Sequence, residues 1–568
     1  AGNSLPSSLD RASLDAISAY ATLPSSNGQA MAVGAIDRSM ELSYFSNRPG
    51  EDGKNVYLLA PGVDIITTTV GGGVWVLSPE PDPQFFGIDL DASGTSFAAP
   101  HVAGAAALMF EMFPNLTARE VVELLLTGST DVGLAGVDAI TGYGIINLEN
   151  SIQPQGTMSI PMGKTSMALN VPMSKSLLLS SPAFGDAFFT SEAFEGGFFQ
   201  DKYRRAYKYD FRALTPLPEI NISLGGQIKA HTKNRTISAI TSANTRLQFN
   251  VKEIHWWEKG GGQSSQIEGD IFSGRKITTS SFISYSKITP LTSIEVRHGF
   301  QNEPLEDFAL DLPETVDLNF GVTHFGLNDL RGFGTSINTK QQITEDSEVA
   351  VSFSSNNLKN NFRTGYQNNT GLSMRFKGRV TTKLLYGIEL GYLSESDAFL
   401  KSQSFGAFGG FQNSTTSFGT IAASYTFKKV SFFGLYSMGT TNLNQKKIGF
   451  LNNFSTIKSK AFKGGVVVKK PLNQRGHLTF TIAQPLRVSS GTALVDIATG
   501  LNAEDEITRE LRTISLSPRG RELNYSIAYK VDLNGFSLRA NFLHRSNPSH
   551  IENINSDTAF LFHITSVF

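Results

Sequence analysis

The residues best placed by type and spacing to do covalent chemistry lie in one stretch, Gly94-Thr95-Ser96-Phe97-Ala98-Ala99-Pro100-His101-Val102-Ala103-Gly104. A serine stands between a glycine-bearing turn and a long apolar run. If that run is a helix, Ser96 lies in its first turn, where backbone N–H groups are free and the helix dipole is positive. An oxyanion forming there is stabilised, which is what acyl transfer at a serine requires. Gly94, Ala98, Ala99 and Gly104 are small enough to let such a helix sit close to its neighbours.

A serine nucleophile also needs a base and a second oxyanion donor. Asn3 carries a side-chain amide that suits the donor role; as a lone asparagine it reads equally well as a loop residue capping Ser4 to Asp10. Between Ala1 and Pro154 the sole histidine is His101. It lies five positions after Ser96 on the same expected helix, about 140° around the axis, out of reach of the serine. Asp37, Asp64, Asp89 and Asp91 have no histidine to orient.

The serine stretch resembles the nucleophile segment of the subtilisin-like serine proteases, the subtilases. Ala1-Gly2-Asn3-Ser4 is similar to the segment that bears their oxyanion asparagine. Met31 to Asp37, Tyr44-Phe45-Ser46-Asn47 and Leu59-Ala60-Pro61-Gly62-Val63-Asp64-Ile65 follow the family's order. Phe113-Pro114-Asn115-Leu116-Thr117 and Gly142-Tyr143-Gly144-Ile145-Ile146-Asn147-Leu148 are similar to what closes it. The resemblance implies Ser96 as nucleophile, Asn3 as oxyanion donor, and protein or peptide substrates. In subtilases the triad runs Asp, His, Ser. The catalytic Asp and His are therefore expected upstream of Asn3 and are absent from this chain, which is read as part of a longer protein and as inactive alone. It opens inside a motif, with no signal peptide or initiator Met. Subtilases often bind calcium, but no ligand cluster stands out, and no other cofactor is expected.

These residues need elements to position them. Residues 11–30 read as a helix. Met31–Ile36 and Asn55–Ala60 are continuous apolar runs, as doubly buried parallel strands should be, with a third short strand over Asp64–Thr69. Gly71-Gly72-Gly73 and Pro79–Pro83 make an irregular insertion. The run from Phe97 to Phe113 reads as a buried core helix. Thr117 and Glu120 form a capping box for the next helix, whose apolar face carries Val121, Val122, Leu124, Leu125 and Leu126. The expected layout is an incomplete α/β peptidase domain with a parallel sheet at 1–154, a connector at 155–216 and a β-rich domain at 217–568. Within the connector, Ala183 to Phe189 and Tyr203 to Phe211 stand out, and a helical span over Glu192–Tyr207 is conceivable.

From residue 217 period-2 alternation dominates. Leu384, Tyr386, Ile388, Leu390 and Tyr392 alternate with Leu385, Gly387, Glu389 and Gly391; Ile421, Ala423 and Tyr425 alternate with Ala422, Ser424 and Thr426. Many strands of about 8–11 residues with one apolar, aromatic face fit an antiparallel outer-membrane β-barrel. A soluble β-sandwich or solenoid also alternates. Aromatic residues at strand ends, charges such as Arg375, Lys377, Glu389 and Lys530 on the polar face, and a chain ending in Phe568 favour the barrel. A subtilase followed by such a domain resembles a serine-protease autotransporter of Gram-negative bacteria, with the barrel in outer-membrane lipid and the peptidase displayed or released outside. Ala483 to Val488 and Pro518 to Leu523 look like segments of proteins with this layout.

Composition narrows the remaining classes. Hydrophobic residues make up 40% and charged residues 17%, with a formal net charge of −1, so no nucleic-acid partner is expected. The absence of cysteine excludes disulfides, and no apolar run is long enough for a membrane helix. Three functions compete: a surface endopeptidase; an outer-membrane or adhesive protein with a degenerate peptidase unit; and a soluble secreted protease with a β-rich accessory domain.

Overall fold

The computed structural model of the chain describes residues 2–4, 13–68, 74–75, 92–218, 234–242, 244–256, 274–298, 333–359, 366–447, 449–471, 476–502, 504–533 and 536–566. The chain divides into two compact units. One comprises Ala1–Met173, Phe198–Tyr209 and Ala498–Thr508; the other comprises Ser174–Gly197, Asp210–Ile497 and Arg509–Phe568.

In the first unit two apolar runs pair in parallel. Strand β1 (Ala32–Ile36) lies beside β2 (Tyr57–Pro61), with Val33 opposite Leu58 and Ala35 opposite Ala60. All of β1 and the first four residues of β2 are buried, as expected for a parallel sheet packed on both faces. A single turn, α1 (Gly50–Gly53), precedes β2. The helices α2 (Thr95–Met112), α3 (Ala118–Thr127) and α4 (Leu148–Ile152) follow. Ala98, Val102, Ala105 and Met109 of α2 share one core with Val33, Ala35, Leu58 and Ala60 of the strands and with Val121, Leu124 and Leu125 of α3. The capping box of α3 is present: Glu120 N–H donates to Thr117 Oγ1 (3.3 Å) and Thr117 N–H donates to Glu120 Oε2 (2.8 Å).

Four local expectations change. Residues 18–22 and 24–26 form short 3-10 turns rather than one helix over 11–30; Asp15 takes the Ser18 N–H at 2.8 Å, and Pro24 opens the second turn. Among the described residues of Asp64–Thr69, only Thr67–Thr68 is strand, paired with Val74–Trp75; Thr69 lies outside them. Glu192–Tyr207 is not helical: a turn at Glu192–Phe194 leads into strands Gly197–Gln200 and Ala206–Tyr209. The Gly196-Gly197 pair disfavours a helix, and Phe198-Phe199 favours a strand. Finally, α2 is buried on one face only. Ala99, Ala103, Gly104, Ala107, Leu108, Phe110 and Met112 are exposed. A helix apolar all round needs cover all round, and the described residues cover one side.

The second unit is built on a 15-stranded antiparallel sheet. Its strands run from Asn234–Ser242 to Asp557–Ser566, each paired with the next in sheet order. Among the described residues these first and last strands are not paired with one another, so the sheet is not closed. Consecutive strands alternate in direction, so alternate connections fall at opposite ends. Counted along the sequence, one end takes 243–244, 290–291, 345–346, 382–383, 428–429, 470–475 and 534–535, and the other takes 257–273, 299–332, 360–365, 397–409, 448–456, 491–522 and 547–556; of these, 257–273, 299–332, 360–365 and 534–535 lie outside the described residues.

The two faces of this sheet are sorted by polarity. Ser373, Glu389, Thr416, Thr420, Ser437 and Thr441 are buried, while Leu372, Met374, Ile388, Leu390, Ile421, Phe432 and Met438 are exposed. Cross-strand hydroxyl pairs join Thr416 to Thr441 and Thr420 to Ser437, each at 2.8 Å. Arg375 lies 3.4 Å from Glu389.

The segments 483–488 and 518–523 meet in a polar cluster in which Gln484, Glu522 and His550 are buried. Arg487 donates to the carbonyls of Gly520 (3.1 Å) and Pro518 (2.5 Å), and Arg521 donates to Gln484 Oε1 (2.6 Å). His550 accepts the Glu522 N–H on Nδ1 (2.8 Å) and bonds the Leu486 carbonyl through Nε2 (3.1 Å). Burial, with the nearby Arg487 charge, pushes the His550 pKa down to about 3. Asp186 accepts the backbone N–H groups of Arg519 (2.7 Å) and Glu552 (2.8 Å). The sequence motif Ala183–Phe189 is thus tied to the same cluster.

Candidate active site

β1 and β2 end together at Ile36 and Pro61. In open α/β sheets the ground beyond the carboxyl ends of the strands is where ligands bind. The chain places the serine turn there. Gly62 N–H donates to the Ile36 carbonyl (3.0 Å), and Gly94 N–H donates to the Gly62 carbonyl (2.7 Å). Ile65 N–H reaches the Ala92 carbonyl (3.2 Å), and Ser93 Oγ accepts the Asp64 N–H (3.0 Å). Residues 92–94 therefore run alongside 62–65 and deliver α2 at the strand ends. A Cβ on Gly62 would come within 2.6 Å of the Ala35 Cβ and 2.9 Å of the Gly94 carbonyl, so this close approach needs glycine.

Gly94 is the N-cap of α2, with φ 156° and ψ 160°, a region essentially confined to glycine. Thr95 and Ser96 open the helix, and Ser96 is exposed. The first N–H groups of a helix have no partner within it. That of Thr95 is taken by Asn3 Oδ1 at 3.0 Å, and the Thr95 hydroxyl donates to the same oxygen at 2.9 Å. That of Ser96 has no partner among the described residues.

Asn3 is thus docked on the serine turn across 92 residues of sequence. Because its oxygen is held by Thr95, its amide nitrogen is the end left to donate. That nitrogen would lie 3.1 Å from a Cβ at Gly94. Two donors, Asn3 Nδ2 and the Ser96 N–H, therefore flank the turn that carries the serine hydroxyl, the arrangement that a developing oxyanion needs.

A second layer holds Asn3. Its strand-like segment bridges Ser46; Ser4 N–H donates to the Phe45 carbonyl (2.8 Å), and Asn47 N–H donates to the Gly2 carbonyl (3.0 Å). Ser46 Oγ accepts the Ala35 N–H (3.0 Å), and the Tyr57 hydroxyl donates to the Asn47 carbonyl (2.9 Å). Burial raises the Tyr57 pKa, so the phenol stays protonated as a donor. Reading the sequence for chemistry gave no role to Thr95 or Tyr57. Thr95 touches the serine in sequence and was the one signal available; Tyr57 acts through a carbonyl that only folding brings to it.

The other candidate residues do not join Ser96. The His101 ring bonds the Phe97 carbonyl of its own helix through Nδ1 (2.9 Å). Asp37 accepts the N–H groups of Ser39 and Glu41, and Asp64 faces Arg38 at 3.7 Å. Asp89, Asp91 and the insertion at 71–83, apart from Val74–Trp75, lie outside the described residues. Among the described residues no three His, Asp or Glu side chains converge as a metal site requires.

Residues 1–144 match the subtilase family. Over 118 residues the chain is 35% identical to serotype-specific antigen 1 of Mannheimia haemolytica, covering 21% of this chain and 12% of that protein. It is 32% identical over 131 residues to subtilisin DY of Bacillus licheniformis, covering 23% of this chain and 39% of that one. It is 35% identical over 74 residues to the autotransporter lipoprotein NalP of Neisseria meningitidis, covering 13% of this chain and 7% of that protein. The chain therefore spans well under half the length of these relatives. A loose overlay with OmpT, an outer membrane protein of Vibrio cholerae, covers 59% of this chain and 88% of that one at 10% identity and a TM-score of 0.32.

Proposed function

We propose that this chain carries the nucleophile half of a subtilase-type serine endopeptidase, borne on an outer-membrane β-barrel. The observation that carries the peptidase reading is the docking of Asn3 Oδ1 on Thr95. It orients the amide so that Nδ2 and the Ser96 N–H can both receive an oxyanion. In this reading Ser96 Oγ attacks the scissile carbonyl of a protein or peptide while its proton passes to a base. The carbonyl oxygen gathers charge between the two donors, and collapse of the tetrahedral species expels the amine and leaves an acyl-enzyme on Ser96. Since His101 is bonded to its own helix, this reading takes the base and its orienting carboxylate to be those that subtilases carry ahead of their oxyanion asparagine, and the 568-residue chain alone to be inactive.

The test is labelling of the protein together with that missing part by a fluorophosphonate. Ser96→Ala abolishes labelling. Asn3→Ala leaves it but slows turnover by about 10²–10³, the size of effect known for one oxyanion donor. Folded protein that refuses the probe would instead favour an adhesive or membrane protein with a degenerate peptidase unit.

The barrel reading is supported by the polarity of the large sheet. Polar side chains face in and apolar ones face out, and short turns gather at one end with long connections at the other, as in outer-membrane barrels. Closure of the sheet would remove the two edges that lipid cannot satisfy. In this reading the peptidase is displayed at the cell surface. A soluble secreted protease would leave this apolar face in water, and recovery of the intact chain from culture fluid rather than from outer membranes would favour that alternative.

A further inference from the structure

The segment Phe198–Tyr209 lies well beyond the residues that match the peptidase family, yet it is built into the peptidase unit. Its centre is Arg205, whose side chain is fully buried together with that of Asp201. The guanidinium donates to Asp201 Oδ2 through Nε (2.9 Å) and Nη2 (2.7 Å). It also donates to the Ser151 carbonyl (2.7 Å) and the Gln153 carbonyl (2.8 Å). The Tyr207 hydroxyl donates to the Ile152 carbonyl between them (2.8 Å). These are carbonyls at the C-terminal end of α4, where no partner exists within the helix. Phe113, at the end of α2, lies under the same guanidinium at 5.1 Å from its ring centre. Asp201 Oδ2 accepts the Gln155 N–H (3.1 Å), and Tyr203, itself in the core of the unit, donates to Glu123 of α3 (2.7 Å). At the rim lie a half-buried pair, Arg204 with Glu120, and an exposed pair, Lys202 with Glu123.

We infer that Phe198–Tyr209 is a clasp that retains the peptidase unit non-covalently, so that a break in the chain between Thr157 and Phe198 does not release it. The segment is covalently continuous with Asp210 and the second unit. Residues on the far side of such a break therefore still supply the buried cation that α4 needs. Releasing the peptidase would take Ser151, Gln153 and Gln155 from the Arg205–Asp201 pair and would leave three helix-end carbonyls without their donors. Buried, hydrogen-bonded charges are little screened by salt, whereas exposed pairs are.

The test does not read activity or membrane location, so its outcome is separate from that of the proposed function. A site for a sequence-specific protease is inserted after Thr157, an exposed position, in the full chain with a C-terminal affinity tag. After cutting in detergent, the resin is washed with about 1 M NaCl, a concentration at which the Debye length is near 3 Å. The N-terminal piece is expected to remain on the resin; its appearance in the wash overturns the proposal. With Arg205→Ala the cut piece is expected in the wash, while Lys202→Ala, at the exposed pair, retains it. Retention by Arg205→Ala overturns the assignment to the buried pair. If Arg205→Ala fails to fold, Tyr207→Phe removes one hydroxyl only and is expected to shorten retention with the uncut chain eluting as before; unchanged retention then counts against the clasp.

Discussion

The two units sort the same residue types in opposite senses. Around α2, Ala98, Val102, Ala105 and Met109 are buried against β1, β2 and α3. In the large sheet Leu372, Met374, Ile388 and Leu390 are exposed while Ser373, Glu389, Thr416 and Ser437 are buried. Burial of apolar surface drives folding in water at roughly 25 cal/mol per Å². On its exposed face the sheet does not follow that rule, although Leu385, Phe418, Val467 and Leu543 are buried. An apolar solvent on its outer face removes the contradiction. If the sheet is the proposed barrel, the comparison teaches that one chain can be written for two solvents.

Four changes test the contrast. Met109→Ala opens a cavity in the α2 core and should cost about 2–5 kcal/mol, read by denaturant unfolding of the peptidase unit; a negligible loss would mean that this core is not closely packed. Leu390→Arg puts a charge on the outer face of the sheet. Near the middle of a bilayer it should cost about 2–4 kcal/mol, seen as loss of the folded form in lipid vesicles. If the face meets water, the substitution is nearly neutral, and the contrast collapses.

The third test is pH. His550 is buried and neutral, with its pKa held down to about 3. The unfolded chain takes a proton on this residue below about 6.5 and the folded one does not, so this stability is present above that pH and falls as pH drops toward 3. The slope approaches ~1.4 kcal/mol per pH unit, or about 2 kcal/mol by pH 5. Melting of the parent and of His550→Gln over pH 4–7 should diverge accordingly; parallel curves would show that the ring is not buried neutral. The smallest effect is expected at the site. Thr95→Val removes one donor to Asn3 Oδ1, worth about 1 kcal/mol, and should lower kcat roughly five-fold in the complemented enzyme with KM little changed.

Local signals carried much of the fold. The apolar runs of β1 and β2, the Thr117–Glu120 capping box and the alternation over Leu384–Tyr392 each depend on neighbours a few residues apart, and each is present in the structure. Where local preference was weak or mixed, the reading missed. The span 11–30 became two 3-10 turns, because Asp15 and Pro24 act on single turns. The segment Glu192–Tyr207 became strands, because its glycines and paired phenylalanines outweigh its charged residues.

At the site, the sequence by itself determined the chemical parts: a serine after glycine at a helix start, a distant asparagine, and, between Ala1 and Pro154, a single histidine on the serine's own helix. Tertiary structure decided how those parts are aimed. The Asn3–Thr95 contact, the Tyr57–Asn47–Gly2 support behind it and the return of Arg205 to α4 join residues from 10 to 92 positions apart. No local pattern encodes such pairings. They form because folding must satisfy each buried carbonyl, amide and charge with whatever partner the packed chain brings within about 3 Å.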